Sequence, residues 1–104
     1  MTVKEIAEVI KKADRDARHY FIATDGSNYT VWMEYQATDL YADDGCAEEG
    51  WLFEVARFTR DEYDPVADKI RDVLLADDRI AVRAYTVEAS LATGYIEHRF
   101  DCEG

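Results

Sequence analysis

Apolar residues recur at Val3, Ile6, Ala7, Ile10, Ala13 and Ala17, the three-and-four spacing that lines one face of a helix. The pattern predicts a helix over residues 2–17. Thr2 and Glu5 stand three apart at its start. That is the spacing of a capping box, in which each side chain satisfies an orphaned amide of the other. Lys4, Lys11, Lys12, Arg15 and Arg18 lie mostly off the apolar stripe. From residue 19 the period shortens. Residues 19–24, His-Tyr-Phe-Ile-Ala-Thr, read as a strand, and Asp25-Gly26-Ser27-Asn28 reads as a turn. Residues 29–38 alternate, with Tyr29, Val31, Met33, Tyr35 and Ala37 on one side and Thr30, Trp32, Glu34, Gln36 and Thr38 on the other. Period two on both sides of a tight turn predicts a hairpin.

Residues 39–50 form an acidic loop in this reading. Residues 51–59 alternate again, with Trp51, Phe53 and Val55 on one face and Leu52, Glu54 and Ala56 on the other. Asp64-Pro65 has the form of an N-cap followed by a proline at the first helical position. Val66, Ile70, Val73 and Leu74 supply that helix's buried stripe, and Asp77-Asp78 ends it. Residues 79–88 alternate, with Ile80, Val82 and Ala84 set against Arg79, Ala81, Arg83 and Tyr85. Ala89 to Thr93 is a loop, and a last strand runs from Tyr95 to Phe100. Asp101 to Gly104 reads as a frayed polar end.

The predicted order is α-β-β-β-α-β-β in one domain over residues 1–104. It describes an α+β fold of two layers, a mostly antiparallel sheet with both helices on one face. A small curved sheet wrapped around the second helix is the alternative. If Tyr29, Val31, Met33, Trp51, Phe53, Val55, Ile80 and Val82 face the helices, the outer face shows Trp32, Glu34, Glu54, Arg83, Tyr85, Tyr95, Glu97 and Arg99.

Composition then narrows the class. Apolar residues make up 48% of the chain, aromatics 12% and charged residues 34%, which is too apolar for a disordered chain. The net charge is −11, and a surface of that sign repels phosphate backbones and anionic lipid. Direct binding to nucleic acid or membrane is therefore disfavoured. The excess is concentrated. Residues 19–56 carry Asp25, Glu34, Asp39, Asp43, Asp44, Glu48, Glu49 and Glu54 and no Lys or Arg. Most of the aromatic residues share this stretch. A patch of unpaired carboxylates with aromatic neighbours suits a basic partner, such as a nucleic-acid-binding protein or a basic enzyme. The candidate partner-binding residues are Trp32, Glu34, Asp39, Asp43, Asp44, Glu48, Glu49 and Glu54. The bland counterpart is a solvated loop with aromatics filling the core.

Candidate chemistry adds little. His19 and His98 are far apart, and neither has a second ligand at a zinc-site spacing. His98, between Ile96 and Phe100, reads as a core or edge histidine. Asp39-Leu40-Tyr41-Ala42-Asp43-Asp44-Gly45 fails the calcium-loop pattern, since Tyr41 takes the third position and the glycine comes one place late. Cys46 and Cys102 share no motif, and no phosphate loop or nucleophile elbow is visible. No signal segment is legible at the N-terminus, so a cytoplasmic chain with reduced thiols is expected. The sequence reading is a non-enzymatic interaction protein, without cofactor or metal, of the inhibitor, antidote or DNA-mimic kind. Its rivals are a small-ligand or catalytic domain with a pocket between sheet and helices, and a homo-oligomeric structural module.

Overall fold

The computed structural model describes residues 1–38 and 50–104. Its elements are α1 (Val3–Lys11), β1 (Arg18–His19), β2 (Tyr29–Ala37), β3 (Trp51–Thr59), α2 (Pro65–Ala76), β4 (Ala81–Ala89) and β5 (Ile96–Glu103). The strands make one sheet in the order β1-β2-β3-β5-β4. All pairings are antiparallel except β1 with β2. The α+β class and the predicted order of elements are found. Both helices pack on one face. Ile6 and Ile10 of α1 and Ile70 and Leu74 of α2 meet Trp32, Phe53, Val55, Phe100 and Cys102 of the sheet. Each large side chain fully buried there contributes about 1.5–3 kcal/mol.

The helix starts follow from local chemistry. Thr2 Oγ1 accepts the Glu5 N–H at 3.1 Å, and the Glu5 carboxylate accepts the Thr2 N–H at 2.9 Å. Asp64 accepts the Val66 N–H at 3.0 Å, with Pro65 just inside α2. The first helix is shorter than its apolar stripe suggests. It ends at Lys11, and turns follow in which Asp14 accepts the Asp16 N–H. An aspartate that bonds its own backbone offers the chain an alternative to helix. Ala13 and Ala17 still pack against the core from those turns.

The predicted hairpin over residues 19–38 is not formed. Only Arg18 and His19 join the sheet, and they run parallel to β2, opposite Val31 and Trp32. Tyr20 then takes a φ of 72°, a region that bulky L-residues rarely enter. This bend turns the chain out of the sheet. The Tyr20 ring stacks on His19 at 3.8 Å and its hydroxyl donates to Glu34, and these contacts hold the bend. The turn at Asp25–Asn28 is present, with Asp25 accepting the Ser27 N–H and Gly26 at φ 81°. The chain returns across the outer face of the sheet. Ala23 packs there on Tyr29, Val31 and Ala56, and Tyr95 donates to the Ser27 carbonyl at 2.7 Å.

The register of β2 reverses the expected facing of that strand. Trp32 lies opposite Val55, and Glu34 opposite Phe53. Directly opposed residues share a face. Trp32 and Glu34 therefore point to the helices, and Tyr29, Val31 and Met33 point outward. Trp32 is 2% exposed, so its place on the outer contact surface is corrected. Alternation could not orient this strand, because both of its faces are apolar near Tyr29–Trp32. In β4 a bulge between Val82 and Ala84 shifts the phase. It brings Tyr85 onto the helix side, stacked on Phe100 at 4.6 Å, and this too corrects an outward assignment. The last strand runs past Phe100 to Glu103. Cys102 is fully buried, and Gly104 exchanges backbone bonds with Trp51 at 2.8 and 2.9 Å. The expected frayed end is an ordered strand.

Candidate functional site

The sequence-predicted site divides into three parts. Asp39, Asp43, Asp44, Glu48 and Glu49 lie outside the described residues. Trp32 and Glu34 face inward and form a small cluster with His19 and Tyr20. Glu54 alone stands on the outer face of the sheet.

The inward cluster is fully knitted. The His19 ring lies between Tyr20 and Trp32, with centroids 3.8 and 4.0 Å away. Its Nε2 is 2.7 Å from the Glu34 carboxylate, which also accepts the Tyr20 hydroxyl. Burial works to raise the Glu34 pKa, but the bonds from Tyr20 and His19 outweigh it and hold the carboxyl below its usual range. Both acceptor oxygens of Glu34 are thus engaged within the protein. A partner would have to break these contacts to use them.

The outer face is built by β3, β5 and β4. Strand alternation sends Glu54 of β3, Glu97, Arg99, Asp101 and Glu103 of β5, and Thr86 and Glu88 of β4 to this side. Five carboxylates here stand around one central guanidinium. Arg99 pairs with Glu54 at 3.0 Å and with Glu97. Partial burial opposes the Arg99 charge, yet Glu54 and Glu97 outweigh it and raise its pKa. Arg83 sits on the β4 bulge at the margin, and its charge is felt at Tyr35. Among the described residues, no Lys or Arg forms an ion pair with Glu88, Asp101 or Glu103. Asp101 instead accepts the Tyr35 hydroxyl at 2.7 Å, a bond that raises the Tyr35 pKa.

Two like-charged pairs lie directly across the strands, Glu88 opposite Glu97 and Glu54 opposite Asp101. Each such pair is destabilising, by about 0.2–1 kcal/mol. Arg99 offsets part of this by lying between them. Exposed Met33 and Tyr35 of β2 flank the face on the β3 side. The ends of β2 and β3, Ala37 and Trp51, are opposed at the same end of the sheet as Glu103. The sequence between them carries five more acids and no base.

Glu88, Asp101 and Glu103 were missed by sequence reasoning. The signal was present: Glu97, Arg99, Asp101 and Glu103 are charged at every second position. It was hidden by reading residues 101–104 as a tail.

Two further arginines have structural partners. Arg57 is buried, 2.7 Å from Asp64 and 3.4 Å from Asp14. Arg60 donates to the Gly26 and Thr93 carbonyls and lies over the Tyr95 ring at 4.2 Å. Among the described residues, no three His, Cys, Asp or Glu side chains converge as metal ligands would. Among the same residues, no helix is long and apolar enough to cross a membrane. Cys102 is a free thiol, and burial, with a smaller effect from Asp101, pushes its pKa up to about 12. That is the character of an inert core cysteine. Compared with known proteins, the chain matches no family model and no curated protein.

Proposed function

We propose that this protein is a non-enzymatic interaction module that docks on a basic protein surface through the outer face of its sheet. The observation that carries the reading is the pair of like-charged cross-strand contacts, Glu88 with Glu97 and Glu54 with Asp101. Arg99 offsets only part of the repulsion between these carboxylates. A cationic partner turns the same repulsion into attraction and raises its own rate of encounter. Tyr35 and Met33 at the flank supply apolar surface beside the charge, and an aromatic ring there stacks on a guanidinium. The acids between residues 38 and 50 extend the same sign of charge along the sequence. The partner is a nucleic-acid-binding protein or a basic enzyme, held as an inhibitor or antidote would hold it.

The test uses a variant with Glu88→Gln, Asp101→Asn and Glu103→Gln, which leaves the Arg99 pairs intact. Native protein and variant are immobilised and exposed to a cell lysate at low and high salt. Basic proteins retained by the native chain and lost from the variant are expected, with retention falling as salt screens the field. Equal retention by the two overturns the reading. Competition by duplex DNA then separates occupation of a nucleic-acid groove from capping of an enzyme.

A further inference from the structure

Among the described residues β4 is the terminal strand of its side of the sheet, and it is nine residues long. A terminal strand presents unpaired N–H and C=O groups, and proteins usually blunt such an edge with a proline, a charged side chain, a bulge or a short strand. β4 is bulged between Val82 and Ala84, and beyond that the run Ala84–Ala89 holds no proline and one charged residue, Glu88. Its outward groups follow from the hairpin. Ser90 N–H donates to the Tyr95 carbonyl at 2.9 Å, so Ser90 and Tyr95 are a hydrogen-bonded pair. Antiparallel pairs alternate. The N–H and C=O of Ala89, Val87 and Tyr85 therefore turn away from β5, toward the open edge.

The two faces beside this edge differ. On the helix side Tyr85 and Val87 of β4 are 46% and 55% exposed, with Arg71 and Asp68 of α2 close to Tyr85. On the outer side Glu88 stands opposite Glu97. A strand added here would set alternate side chains beside Tyr85 and Val87 on one face and beside Glu88 on the other.

We infer that the β4 edge receives an extended segment of the basic partner, added as a sixth strand, with apolar and cationic residues alternating. The inference rests on the acidic-face reading and names how the partner is held. Main-chain bonds supply affinity, and the two faces supply specificity. Charge selects this occupant over a second copy of the chain. β4 paired with β4 would make two acidic outer faces continuous.

The probe is an eight-residue peptide of alternating lysine and valine, with blocked ends. Amide exchange is followed by NMR on the full chain. Exchange at Tyr85, Val87 and Ala89 slows by about tenfold or more with the peptide. The analogue with glutamate for lysine leaves it unchanged. Val87→Pro removes an edge-facing N–H that the sheet does not use. It weakens peptide binding by about tenfold or more, while every charge stays in place. Val87→Lys keeps the backbone and should weaken binding likewise, which covers the case in which the proline variant does not fold. Peptide binding that leaves these amides unprotected, or that is unaffected in both variants, overturns strand addition. Protection in the free protein with a doubled mass assigns the edge to a second copy and overturns it too. Salt-sensitive docking on the acidic face survives each of these outcomes, because its own test leaves Val87 intact.

Discussion

Trp32 shows how one side chain decides between contact surface and core. It is 2% exposed, stacked on His19 and packed among Phe53 and Val55. Trp32→Ala is expected to destabilise by about 3–5 kcal/mol, measured by urea unfolding. A contact residue on the outer face would leave stability nearly unchanged. Asp77 is a second case. The hydrogen bond from Arg79 outweighs burial and lowers its pKa to about 2. An unfolded aspartate titrates near about 3.9. The folded value is the lower one, so the stabilisation is present above the unfolded pKa and is lost as pH falls through the folded one. Asp77→Asn should cost about 0.5–1 kcal/mol at neutral pH, since Arg79 is half exposed. The gap from the native chain should close between pH of about 4 and 2, read from urea unfolding across that range. Cys102, raised to about 12, should resist alkylation in the folded state and react fully in denaturant, followed by peptide mapping.

At the scale of elements, the start of α2 and the middle of β3 are joined by one aspartate. Asp64 caps the helix through the Val66 N–H and also holds the buried Arg57 guanidinium at 2.7 Å. Asp64→Ala removes the cap and leaves Arg57 only the longer contacts to Asp14 and Thr30, each at 3.4 Å, so a loss of about 3–5 kcal/mol is expected. Asp64→Asn keeps a capping oxygen and should cost less. Circular dichroism with urea unfolding orders the two variants. The capping box at Thr2 and the Asp64-Pro65 start were legible in the sequence because their partners lie within three residues. The extent of α1, the fate of residues 20–28 and the β4 bulge were not. The end of α1 turns on the Asp14 side chain bonding its own backbone, and the other two depend on distant strands: Tyr20 with Glu34, Tyr95 with Ser27, and β4 with β5.

For the molecule as a whole, charge and fold are not distributed alike. Buried or internally paired arginines hold the layers together: Arg57 with Asp64, Arg79 with Glu5 and Asp77, and Arg60 across the outer face. On the outer face Glu88 and Glu103 form no ion pair with a Lys or Arg among the described residues. Stability and docking should therefore respond in opposite directions there. Glu88→Lys places a cation opposite Glu97 and should stabilise by about 0.2–1 kcal/mol, seen as a raised Tm. The same change should weaken capture of a basic partner. A variant that gains stability and keeps full capture would remove Glu88 from the docking surface.

The sequence by itself determined the element order, the helix starts, the inward set on β3 and the overall acidic balance, since each follows from short-range spacing or from counting. The tertiary structure decided which side of β2 is buried, because a strand apolar on both faces carries no orientation of its own. Pairing Trp32 with Val55 supplied it. It also decided where charge survives. Glu54 and Glu97 meet Arg99, and Glu34 meets His19 and Tyr20. Glu88 and Glu103 form no ion pair with a Lys or Arg among the described residues. A charge count cannot separate these cases, since neutralisation depends on distances of a few ångströms between residues far apart in the chain.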